Sequence, residues 1–186
     1  MGRIVVSEFV SLDGVMEDPG GSEDFEHGGW TFEIDQGAEG GQFKYEETFG
    51  SEALLLGRVT YEGFAEAWPE RDGDFADRFN SMPKYVVSAT LKDPEWTNSH
   101  VLSGDLVQEI ARLKDEIGGD IVVHGSARLA QGLLENDLVD ELRLMVFPVV
   151  LGSGRRLFAA GSKKRLNLAE SRTVGDGVLI LTYRRP

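Results

Sequence analysis

Three short apolar runs, each stopped by a small or polar residue, constrain this chain more than any other feature. They are ALLL (53–56) before Gly57, YVV (85–87) before Ser88, and IVV (121–123) before His124-Gly125-Ser126. Short, continuous runs of β-branched and aliphatic residues bounded by turn residues fit strands buried on both faces of a parallel sheet. The first and third pass at once into helical spacing. In an open α/β sheet, ligands bind beyond the carboxyl ends of the strands, so the three stops outline one candidate site.

The rest of the chain fits around those strands. RIVVSEFV (3–10) reads as a first strand, and the Gly-rich segment 17–41 reads as a long loop of the functional or mobile kind. Residues 42–50, RVTYEGFAEAW ended by Pro69, and 73–81 read as helical. Leu106, Ile110, Leu113 and Ile117 share one helical face over 105–117, with Gly118-Gly119 as the stop. After the helix SARLAQGLLEN come the strand ELRLMVFPVV and two further strands within 164–185, joined at Gly175-Asp176-Gly177. The pattern predicts a single domain over 1–186, a three-layer α/β/α fold whose central sheet is mostly parallel with antiparallel C-terminal strands.

Charge narrows the function. A net charge of −13, from 32 acidic and 19 basic residues, disfavours general nucleic-acid binding, which needs a basic surface. It leaves room for a phosphorylated small ligand held locally by arginine or a helix N-terminus. No apolar stretch approaches the roughly 18 residues of a membrane span, and no signal-peptide cleavage pattern follows the first strand. The chain has no cysteine, which fits a reducing cytoplasm, and its three histidines lack ligand spacing, so no metal site is expected. A small-molecule substrate is the expected partner, and a homodimer paired through the C-terminal strands is an arrangement the pattern allows.

Each candidate residue has a bland alternative. Gly57 with Arg58 and Thr60 can admit and grip a phosphate, or make a tight turn with a surface arginine. Ser88 can face the same ligand or cap a turn. Gly125-Ser126 can expose the N–H groups of the helix beginning near Ala127 and Arg128, or Ser126 can be an ordinary helix cap. His124 fits a packed, hydrogen-bonded side chain better than a catalyst. Asp13 in SLDG can sit at the mouth of the site or in a plain Asp-Gly turn. Trp30 and Phe32 form either a lid folded onto the core or a stacking surface for a flat heterocycle. Arg155-Arg156 in GSGRR is a phosphate cluster or, preferably, a surface turn.

Taken in order, SLDG, LLLGRVTYEGF, VVSATL, VVHGSARLAQGLL and LVDELRLMVFPVVLGSGRRLF make the chain resemble the dihydrofolate-reductase-like superfamily. Within it, the chain is most similar to stand-alone proteins like the reductase domain of the bifunctional riboflavin-biosynthesis deaminase/reductase. The resemblance spans essentially the whole chain. It implies an NADPH-dependent oxidoreductase delivering hydride to a C=N or C=O group of a small heterocyclic or sugar-bearing substrate, such as a ribosylamino-pyrimidine. A cofactor-binding protein without turnover is the alternative. Carried over by position, Gly57, Arg58 and Thr60 match the first cofactor turn, Ser88 the second, and Gly125, Ser126, Ala127 and Arg128 the third. Phe9 and Met16 match positions flanking nicotinamide. Asp13, Trp30 and Phe32 fall on the substrate side, with Asp13 the one candidate for catalysis. The resemblance also implies a cis peptide between Gly125 and Ser126, as in the Gly-Gly pair of dihydrofolate reductases.

One departure is chemical. The acidic residue that dihydrofolate reductases carry in the helix before the Gly-Arg turn falls here on Gly41, with Glu39 two residues away. Loss of a positioned proton donor costs roughly 10²–10⁴ in rate. In an NADPH-oxidation assay with dihydrofolate, turnover should therefore be absent or lower by about that factor; robust turnover would show that another group supplies the proton.

Overall fold

A computed structural model describes all 186 residues. The apolar runs are parallel strands, as expected. β1 (Arg3–Ser11), β2 (Ser51–Gly57), β3 (Lys84–Val87), β5 (Asp120–Val123) and β6 (Glu141–Phe147) lie in one eight-stranded sheet with β4 (Ser99–Leu102), β7 (Asn167–Val174) and β8 (Val178–Arg184). The spatial order is β4-β3-β2-β5-β1-β6-β8-β7, parallel except where β8 runs against β6 and β7 against β8. The β7–β8 hairpin turns at Gly175-Asp176-Gly177, where both glycines have positive φ. This is the α/β/α architecture with antiparallel C-terminal strands that the sequence predicts.

Alternation along the strands sorts side chains to two helical layers. Ile4, Val6, Leu55, Ile121 and Val123 face α4 (Leu106–Glu116) and α5 (Ala127–Glu135), whose Ile110, Leu113, Leu129, Ala130 and Leu133 complete the larger core. Val5, Leu54, Leu56, Val86 and Val122 face the other way, against Tyr61 of α2 (Arg58–Ala67) and Phe79 of α3 (Asp74–Ser81). A third cluster joins Trp30 to Phe147, Val174, Val178 and Ile180 under the C-terminal strands. Asp105 caps α4 by accepting from the Gln108 N–H, as its position before the periodic run suggests.

Two expectations need correction. The loop read over 17–41 is shorter, because a 3₁₀ turn occupies Trp30–Glu33 and α1 runs from Gly37 to Gly50. The glycines at 37, 40 and 41 hide the start of this helix, since glycine lowers helix propensity. β4 was not expected at all: its four residues, SHVL, sit at the sheet edge, and only Leu102 is buried.

Lys84 opens β3 and is 0% exposed, which the pattern KYVV gave no reason to expect. Its Nζ donates to the carbonyl oxygens of Asn80 (2.5 Å), Met82 (2.9 Å) and Thr97 (2.8 Å) and lies 4.3 Å from the Trp96 ring centroid. One ammonium thus ties the end of α3 and the segment before β4 to the sheet. Burial pushes its pKa down to about 8 from 10.5. The folded state therefore sheds the proton before the unfolded chain does, so this group's burden on stability is full below pH 8 and relieved as pH rises toward 10.5. Lys84→Ala should cost about 3 kcal/mol, because it strands three carbonyl groups. Thermal denaturation across this range should also show less stabilisation with rising pH in the variant than in the parent.

Candidate functional site

β5 stops early. It pairs with β1 only as far as Val6–Val123, whereas β6 stays paired with β1 to Ser11–Phe147. From Ser7 to Ser11, the β5-facing edge of β1 has no strand beside it. On the far side of this slot β2 continues to Gly57, and the residues leaving β5, His124-Gly125-Ser126, form its floor.

The turns meet here through hydrogen bonds. The Gly57 N–H donates to Ser126 Oγ (2.9 Å), and the Ser126 N–H donates to Thr60 Oγ1 (2.8 Å). Ser126 Oγ donates in turn to the His124 carbonyl (3.1 Å), and the Gly125 N–H donates to Glu8 Oε2 (2.9 Å). Residues 66 and 69 positions apart in sequence are locked into one network. Ser126 is therefore not a plain cap: it makes no side-chain cap bond to α5 and bridges two turns instead. Gly125 and Ser126 both have φ of 57°, and every peptide bond is trans, which corrects the expected cis link. Two consecutive left-handed residues reverse the chain without it. A Cβ on Gly125 would lie 3.0 Å from Thr60 Oγ1, so glycine is required there by packing as well as by φ.

Around this network lies a buried polar cluster that pattern reading missed. Lys44 of α1 donates to Ser7 Oγ (2.9 Å) and to Glu47 Oε2 (2.5 Å), and Arg143 of β6 reaches Glu47 (3.4 Å) and Asp120 (3.2 Å). Burial opposes ionisation of Glu47, yet Lys44, His124 and hydrogen bonds prevail and hold it at about 2. Burial, then Lys44, pushes His124 down to about 4, so its ring is neutral near pH 7, with Nδ1 3.2 Å from the Ser7 carbonyl. That is the packed histidine expected. Glu47 was legible only as one of several acids in a helix, because its burial depends on what α1 packs against.

The other candidates divide. Arg58 stands exposed at the first position of α2, its guanidinium touching only Glu62 (3.0 Å), an exposed pair that is easily exchanged. Ala127 and Arg128 open α5, whose first-turn N–H groups lie beyond the intrahelical ladder. Ser88 Oγ accepts from the N–H groups of Leu91 (2.9 Å) and Thr90 (3.2 Å), which makes it a turn cap. Phe9 packs edge-on against Phe147 at 5.8 Å, with Lys44 Nζ 5.3 Å from its ring centroid. The Met16 side chain lies in the larger core, and its N–H donates to the Arg155 carbonyl (2.8 Å).

On the substrate side, two assignments change. Trp30 is 1% exposed, donates through Nε1 to the Glu17 carbonyl (2.8 Å) and packs on Phe147. It is a core residue with no ring face left for stacking, whereas Phe32 is 81% exposed and outside the core clusters. Asp13 accepts from Ser11 Oγ (2.6 Å) and from the N–H groups of Leu151 (3.1 Å) and Gly152 (2.9 Å). Arg156 and Arg155 pair with Asp13 and Glu17 and stay half exposed, which fits the surface-turn reading of GSGRR. The Ser11 hydroxyl first, then the two backbone donors, hold the Asp13 carboxyl at about 2. An acid that weak in protons suits a staple and not a proton donor. Gly41 lies exposed on α1, and Glu39 is exposed nearby.

The comparisons agree with this architecture. Residues 3–180 match the RibD C-terminal domain family. The Bacillus subtilis proteins YyaP and YwjB are 28% and 30% identical, over 97% and 91% of this chain and 94% and 90% of their own length. Among solved structures, a protein of Shewanella sp. PV-4 described as a candidate riboflavin biosynthesis protein superposes with a TM-score of 0.79 at 24% identity, covering 99% of both chains. Acinetobacter baumannii RibD superposes with a TM-score of 0.69 at 17% identity, this chain covering 58% of that longer one.

Asp13 carries the testable consequence of this geometry. Its contribution to stability should be full above its ordinary value of 3.8 and lost as pH falls toward 2. Asp13→Asn should cost about 1 kcal/mol and flatten that acid limb. Limited proteolysis should then cut first within 150–157; an unchanged acid limb would remove the staple role. Eight strands in this order, an early-ending β5 and a match over residues 3–180 together make the chain a member of the RibD C-terminal domain family, with a dihydrofolate-reductase-like fold.

Proposed function

We propose that the chain is an NADPH-dependent reductase acting on a C=N or C=O group of a small heterocyclic or sugar-bearing substrate, with a ribosylamino-pyrimidine of riboflavin synthesis as the first candidate. The observation that carries this reading is the slot beside β1, where the β2 and β5 turns and the starts of α2 and α5 converge. The donor set there fits a dinucleotide. The first-turn N–H groups of α5 and the exposed Arg58 suit phosphate oxygens.

When bound, the nicotinamide supplies the hydride. The chain's own work is binding, orientation and exclusion of water. Arg58 would grip the adenosine 2′-phosphate bidentately after releasing Glu62. Ala127 and Arg128 would present backbone N–H groups to the diphosphate. The Gly57–Ser126–Thr60 bridges would keep the two turns in register. Trp30 anchors the 17–36 segment over Phe147, which would leave the slot mouth shaped by Asp13 and the 148–157 turn. In an acidic protein of net charge −13, these few local donors must act at short range.

NADPH should bind about ten- to a hundredfold more tightly than NADH, one charge-assisted contact being worth about 1.5–3 kcal/mol. Arg58→Ala should abolish that difference in a fluorescence titration; equal affinities in the parent would overturn the assignment of Arg58. Steady NADPH oxidation with 5-amino-6-(5-phosphoribosylamino)uracil would separate a reductase from a protein that only binds the cofactor.

A further inference from the structure

Glu8 has no role in the function just described, and its environment asks for one. It lies on β1, two residues beyond the last β5 pairing at Val6–Val123, and is 5% exposed. Oε2 accepts the Gly125 N–H at 2.9 Å, while Oε1 is buried with no partner. The Gly125 amide belongs to the turn assigned to the cofactor phosphates, and in this state the carboxyl occupies it.

We propose that Glu8 is the positioning residue of the cofactor turn: its carboxyl holds the Gly125 amide in the free protein and yields it to the dinucleotide only while it carries a proton. The inference rests on the NADPH reading above. An ionised carboxylate would grip an N–H about twice as strongly as a neutral acid does. It would also set a negative charge beside the incoming phosphates, with little water to screen it. The neutral acid makes an ordinary hydrogen bond that a phosphate can displace.

The surroundings favour the neutral form. Burial raises the Glu8 pKa well above 4.5, against the opposing effects of the Gly125 N–H and Lys44, and Glu47 adds to the rise. α1 contributes the Lys44–Glu47 pair, the end of β5 contributes His124, and β6 contributes Arg143, which faces Glu47. α2 and α5 offer Thr60 and the Ser126 backbone, neither of which titrates. Lys44 is committed to Glu47 and Ser7, which leaves Glu8 without an ion-pair partner of its own.

The test is the pH dependence of NADP⁺ affinity in the intact protein and in Glu8→Gln, which keeps an oxygen for the Gly125 amide but cannot ionise. As pH rises and Glu8 ionises, affinity of the parent should fall roughly tenfold or more. Affinity of the variant should stay within about twofold once the cofactor's own phosphate titration, common to both, is divided out. Identical profiles would overturn the proposal and leave cofactor binding intact. Absence of NADP⁺ binding in both proteins would overturn it together with the cofactor reading. A second measurement needs no variant: in the free parent protein, the Gly125 amide proton should move downfield with rising pH as its acceptor ionises. A resonance that does not move would also overturn the proposal.

Discussion

The early end of β5 is the constraint on which the site depends. A parallel strand that stops while its neighbour continues leaves backbone edge and space in the middle of a sheet, where neither is normally available. β5 ends against Val6, β1 runs on to Ser11 under the cover of β6, and the chain leaving β5 must turn at once to start α5. Gly125 and Ser126 accomplish this with two left-handed residues. Every other feature of the site, from the Gly57–Ser126 bridge to the burial of Glu8, follows from how that turn is held.

The turn is held by polar groups, and they are spent on one another. Three backbone N–H groups that could meet a ligand already have partners: Gly57 with Ser126 Oγ, Ser126 with Thr60 Oγ1, and Gly125 with Glu8. Buried donors left empty are costly, so a site that must stand open in the free protein satisfies them internally. Such a site exchanges partners when it binds rather than offering vacant ones. The buried cluster of Lys44, Glu47, Arg143 and Asp120 beneath it works differently, since its charges pair with one another and keep α1 fixed against β1 and β6.

Much of this was legible in one dimension. The apolar runs at 53–56, 85–87 and 121–123 specify buried parallel strands because no other element accommodates short runs so uniformly apolar, and Gly175-Asp176-Gly177 specifies the last hairpin. The convergence of Gly57, Thr60, Gly125 and Ser126 was also legible, since strand ends in a parallel sheet share one edge. α1 and β4 were obscured locally, by glycines in the first case and by a short, half-exposed edge in the second.

The sequence by itself thus determined the layers, the direction of the strands and the edge on which the site lies, because hydrophobic period and turn chemistry are local properties. Only the tertiary structure decided what individual polar residues do. Trp30 became a core anchor through the position of Phe147, and Asp13 a staple through the amides of Leu151 and Gly152. Glu8 carries no signal of its own within RIVVSEFV, and only the fold makes it a buried acid bonded to the Gly125 N–H. Burial and pairing of a charge depend on groups far away in sequence, and the energy of a charge in a protein is set by those groups rather than by its own neighbours in the chain.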